Sequence, residues 1–133
     1  MANQSTQEIM ELPAEARYSY LIYQVIAHNQ IHLVCDEEGE FALVEYDGDR
    51  VLPVWPSQEL AALVLQTQWP EYFVATVPLD EFLDWLEDLE KDSIEVAGFP
   101  NAELNAVIAH PQEIKSHILT SNQKDSPEDK EVE

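Results

Sequence analysis

Residues 51–60, VLPVWPSQEL, read as a strand that stops and becomes a helix. Val51, Leu52, Val54 and Trp55 are strand formers. Pro56 ends the run, because it has no N–H and restricts the residue before it. Ser57 suits the N-cap of the helix that follows. Pro53 cannot donate to a ladder either, so the strand is expected to have an open side near its end. Upstream lie two more strand-like runs, QIHLVC (30–35) and EFALVEY (40–46), joined by short turns carrying Gly39 and Gly48; an antiparallel meander is the economical reading.

Downstream, residues 57–67 are helical, and EYFVATVP (71–78) reads as a strand. Residues 79–92 form a strongly amphipathic helix that buries Leu79, Phe82, Leu83, Leu86 and Leu89. Asp80 is its expected N-cap, and Asp84, Glu87, Asp88 and Glu90 face water. SIEVAGF (93–99) and LNAVIAH (104–110) are two further strands, and Pro111 opens a helix over 111–119. Ahead of all this, residues 13–28 place Tyr18, Leu21, Ile22, Val25 and Ile26 on one helical stripe. Tyr20, Tyr23 and Ala27 lie off that stripe, which marks Tyr20 and Tyr23 as a candidate partner-facing flank. The order α-β-β-β-α-β-α-β-β-α predicts an α+β fold, a mixed sheet of about five or six strands with helices packed on it. One domain is expected over residues 1–119, with residues 120–133 as a disordered acidic tail.

Composition narrows the function classes. The 133 residues carry 27 acids against 6 bases, a net charge of −21. Phosphate contacts need Lys and Arg, so direct nucleic-acid binding is disfavoured, as is docking on an anionic membrane. Seven acids fall in residues 36–49, eight in 80–95 and five in 125–133. Solvated faces explain most of them, and attraction of a basic partner is the functional alternative. No apolar run approaches a transmembrane length, and the amino terminus does not read as a secretory signal. The single cysteine, Cys35, sits in an alternating run, reads as a buried thiol and fits a cytoplasmic setting.

RYSYLIYQV (17–25), GEFALVEYDGDRVLPVWPSQELAAL (39–63), VPLDEFLDWLEDLEKDSIEVAGFPN (77–101) and HPQEIKSHIL (110–119) together resemble the bacterial domain-of-unknown-function family 2750. The same order is more distantly similar to the amino-terminal domain of the enhanced serine sensitivity protein family. The closer family is uncharacterised, so the resemblance implies a fold and a bacterial setting and carries over no catalytic residue.

The residues themselves offer few chemical constellations. His28 and His32 have a metal-like spacing only on one helix, and His32 falls in a strand, so no metal site or cofactor is assigned. DEEGE and DGDR do not fit a calcium loop. Ser57 is not in a nucleophile elbow. A capping or surface role is expected for His110, ahead of Pro111, and for His117 in the last helix.

One geometric idea remains. If strands 51–55, 71–77 and 94–99 are parallel, each ends in proline on the same sheet edge, where open α/β sheets bind ligands. Trp55 and Phe99 would floor a groove there, with Asp80 and Asn101 as polar handles. The competing reading makes Trp55 a core ring. The expected function is a non-catalytic interaction or ligand-binding module for a protein, a basic one among the candidates, or a small ligand. The alternatives are an acidic inhibitor or immunity-like protein that covers a basic surface as a nucleic-acid mimic, and an unrecognised enzyme.

Overall fold

The computed structural model describes residues 6–46 and 48–124. A short helix α1 (Thr6–Met10), not anticipated from the sequence, precedes α2 (Ala14–His28). Then come β1 (Gln30–Cys35), β2 (Val44–Tyr46), β3 (Asp49–Val54), α3 (Gln58–Gln68), β4 (Phe73–Pro78) and α4 (Leu79–Lys91). The described chain closes with β5 (Glu95–Gly98), β6 (Val107–Ala109) and α5 (Pro111–Lys124). The fold is α+β. The last helix continues past the expected boundary, so residues 120–124 are helical, and residues 125–133 lie outside the described residues. No helix among the described residues is long and apolar enough to cross a membrane.

Local chemistry accounts for the helices. On α2 the stripe buries Leu21, Ile22 and Val25, and the helix stops at Asn29, whose left-handed backbone (φ 60°) lets its N–H reach the Val25 carbonyl at 2.8 Å. Ser57 caps α3 as expected, its Oγ accepting from the Leu60 N–H at 3.1 Å. For α4 the cap differs from expectation. Pro78 is the N-cap and Asp80 lies inside the first turn, its Oδ1 accepting from the Glu81 N–H at 2.9 Å. The Leu79 N–H donates to the Asn29 carbonyl at 3.1 Å, so a contact with the end of α2 sets where α4 starts.

Pairing departs from the meander. β2 and β3 form an antiparallel hairpin, β3 and β5 run parallel, and β5 and β6 are antiparallel, giving a four-stranded sheet β2-β3-β5-β6. β1 instead pairs antiparallel with β4, from Gln30↔Pro78 to Cys35↔Phe73, as a separate two-stranded sheet. β4 therefore does not join the parallel set. The expected single mixed sheet is two, linked where His32 and Trp55 exchange backbone hydrogen bonds of 3.0 and 2.8 Å. β2 holds its side of β3 only to Val51, and β1 meets it at Trp55. Ladder directions alternate along a strand, so the missing N–H of Pro53 falls in the gap between those two neighbours.

The core sits between the sheets and the helices. Leu21, Val25, Ile31, Leu33, Val51, Val54, Trp55, Phe82, Leu86, Val96, Phe99 and Ile114 have no exposed surface. Gly98 is required by close approach: a Cβ there would meet Tyr18 Cδ1 at 2.5 Å. Cys35 is half-buried rather than buried.

Candidate functional site

The groove expected around Trp55 does not form. β3 and β5 do share an edge, so Trp55-Pro56 and Phe99-Pro100 lie together, but Val77-Pro78 belongs to the other sheet. Trp55 is 0% exposed and its indole N–H donates to the Pro100 carbonyl at 3.0 Å. Its ring meets Trp69 edge-on at 6.2 Å. An indole whose only polar atom is satisfied internally loses nothing by full burial. Phe99 is also 0% exposed. Asn101 is spent on its own loop, its Oδ1 accepting from the N–H groups of Glu103 and Asn105 at 3.0 and 2.9 Å. Asp80, exposed at the start of α4, follows the strand that left the parallel set.

That edge is instead closed by Arg17, 3% exposed, which the sequence reading did not single out. Its guanidinium donates to the carbonyls of Phe99 (3.0 Å), Leu12 (2.5 Å) and Asn105 (2.6 Å) and lies 5.9 Å from the Phe99 ring centroid. Burial pulls its pKa below the ordinary value. Phe99 has φ 62°, a conformation unusual for an aromatic residue. It is held there by Arg17 on its carbonyl and by its own N–H on the Val54 carbonyl at 2.8 Å.

The other singled-out residues separate. Tyr23 is 62% exposed, whereas Tyr20 is half-buried, 6.1 Å from the Phe99 ring, and burial raises its pKa. His110 caps α5 as expected: its Nδ1 accepts from the Gln112 N–H while Glu113 reaches back to the His110 N–H. His117 is paired with Tyr18, Nδ1 to hydroxyl 2.6 Å. Burial, aided by the negative charge of Glu113, pushes the Tyr18 phenol up to about 12. No group of three or more His, Cys, Asp and Glu among the described residues is arranged to hold a metal ion.

An apolar groove lies elsewhere, where the outer face of α4 meets the segment entering β2. Phe41, Leu43, Leu52, Trp85 and Leu89 line about 320 Å³, with Asp88 at the rim. Leu43 is 40% exposed, and the Phe41 and Trp85 rings stand 5.2 Å apart. Cys35 fixes Phe41 by an antiparallel bridge. Helical spacing puts Glu81, Asp88 and Leu89 beside Trp85, and both acids are exposed. Among the described residues no basic side chain lines this groove. The sequence signal was present: Trp85 is an aromatic residue outside the buried stripe of α4, set among acids. Only the fold reveals that Phe41 and Leu43 face it.

An α+β protein with an aromatic, acid-rimmed surface groove and a carbonyl-caged arginine is the class these features define. The chain belongs to the family described as "Protein of unknown function (DUF2750)", whose model matches residues 18–118. A comparison with curated proteins gives no match, and the more distant likeness to the enhanced serine sensitivity family finds no support in these comparisons.

Proposed function

We propose that this chain is a non-catalytic interaction module that takes a basic protein segment carrying an apolar anchor. The observation that carries this reading is the Phe41–Trp85 groove, apolar within and acidic at its rim. A chain with a net charge of −21 attracts cationic partners over long range, which raises encounter rates. Trp85 is partly exposed, and tryptophan is among the residue types enriched at interface hot spots. Charge provides attraction and the groove provides register. A single cysteine fits a cytoplasmic setting.

The rival reading, an acidic cover or nucleic-acid mimic, uses charge alone. Fluorescence anisotropy with a labelled amphipathic Lys–Leu peptide separates the two, with a Lys–Ser peptide of equal charge as control. The groove reading expects the Lys–Leu peptide to bind more tightly, and Trp85→Ala to weaken it by about ten-fold, about 1.4 kcal/mol. Equal affinity for both peptides, or no effect of Trp85→Ala, would favour the charge-only cover.

A further inference from the structure

Tyr20, Gln24 and His28 on α2, His32 on β1, and Ser57 and Gln58 at the start of α3 enclose a second cleft of about 210 Å³. Among the described residues no Asp or Glu lines it, although the chain is strongly acidic. Glu59, the nearest acid in the first turn of α3, is exposed and is not among the lining residues. Such a gap in an otherwise acidic surface removes the local repulsion that would keep an anion out. Charges farther away are screened over about 8 Å at physiological ionic strength.

Two independent features place donors in the cleft. The first is His32, 4% exposed. Its Nδ1 is 3.0 Å from the Thr76 hydroxyl, and its Nε2 has no partner among the described residues. No side-chain polar atom among the described residues is both buried and unbonded, so Nε2 opens into the cleft its residue lines. When the Thr76 hydroxyl donates to Nδ1, the ring proton sits on Nε2 and points outward. The second feature is the start of α3, an eleven-residue helix. Ser57 satisfies the Leu60 N–H, while that of Gln58, which lines the cleft, has no intrahelical acceptor. It lies at the positive end of the helix dipole. The Ser57 hydroxyl, the Tyr20 phenol and the Gln58 amide add further donors.

We infer that this cleft binds a small oxyanion, a sulfate, phosphate or carboxylate group, between His32 Nε2 and the free Gln58 N–H at the start of α3. Convergent donors without a carboxylate favour an anion over a cation. The site is separate from the Trp85 groove and does not depend on it.

The test is an NMR titration of the full chain with sodium sulfate, matched against sodium chloride at equal ionic strength. Saturable shifts of the Gln58 amide and the His32 ring with sulfate alone are expected. A parallel titration with glycerol phosphate distinguishes the source. Tighter binding than sulfate assigns an organic phosphate ester, and equal binding a free ion. Gln58→Glu places a carboxylate at the helix start, where it favours the dipole. The variant should therefore keep the wild-type denaturation midpoint while losing at least about ten-fold in sulfate affinity. Sulfate shifts no larger than those from chloride, or unchanged affinity in a folded Gln58→Glu, would overturn the site.

Discussion

Replacing Trp55 with alanine should unfold this protein or nearly so. The indole has no exposed surface and sits where the two sheets meet, its backbone paired with His32 and its ring edge-on to Trp69. Truncating a buried aromatic ring to Ala costs about 3–5 kcal/mol. The Pro100 carbonyl, 3.0 Å from the indole nitrogen, would lose its donor, adding about 1–3 kcal/mol if it stays dry. The total, about 4–8 kcal/mol, is comparable to the whole stability of an ordinary domain, about 5–15 kcal/mol. Trp55→Phe separates the two contributions. It keeps most of the apolar contact and loses the N–H, so about 1–3 kcal/mol should go. Urea denaturation followed by far-ultraviolet circular dichroism measures both, with an unchanged slope showing that the unfolded reference is the same. A loss below about 2 kcal/mol for Trp55→Ala would refute the burial argument and reopen the groove.

Three further outcomes follow from the same contacts. Arg17→Met should cost at least about 3 kcal/mol in chemical denaturation, because the carbonyls of Leu12, Phe99 and Asn105 lose their shared donor. Arg17→Lys should rescue little, since an ammonium lacks the planar fork. Gly98→Ala should destabilise by about 1–3 kcal/mol through the clash with the Tyr18 ring, and a Tyr18→Ala background should shrink that penalty. His32 has its pKa lowered, by burial first and by His28 second. Its folded state binds the proton less readily than the unfolded one, so stability is full above the ordinary histidine value of about 6.5 and falls as pH drops through the folded value. Thermal melts across that window should show the slope, and His32→Gln should flatten it; an equal slope in the variant would assign it to other groups.

Much of the architecture could be read locally. Apolar spacing on α2, α3 and α4, the Ser57 cap and the short turns are set by residues near one another in sequence, where periodicity and capping chemistry act directly. That is why nearly every strand and helix is legible in the sequence, the five-residue α1 excepted. Partner choice was not local. Residues 71–78 spell a strand equally well beside β3 or beside β1, because alternation encodes a face and not a neighbour. Because β4 pairs antiparallel with β1, Pro78 leaves the parallel edge and the proline-edged groove does not form. Whether Trp55 was floor or core turned on one distant acceptor, the Pro100 carbonyl. The cap of α4 moved from Asp80 to Pro78 where the Leu79 N–H meets the Asn29 carbonyl, fifty residues away in the chain. The buried role of Arg17 rests on carbonyls supplied by residues 12, 99 and 105. The sequence by itself determined the elements, their amphipathic faces and the strongly acidic surface. Tertiary structure alone decided which strands pair, which aromatic rings are sealed, and that Phe41 meets Trp85 while His32 opens toward the start of α3. Those outcomes depend on long-range hydrogen bonds and side-chain packing, which leave no periodic trace in the chain.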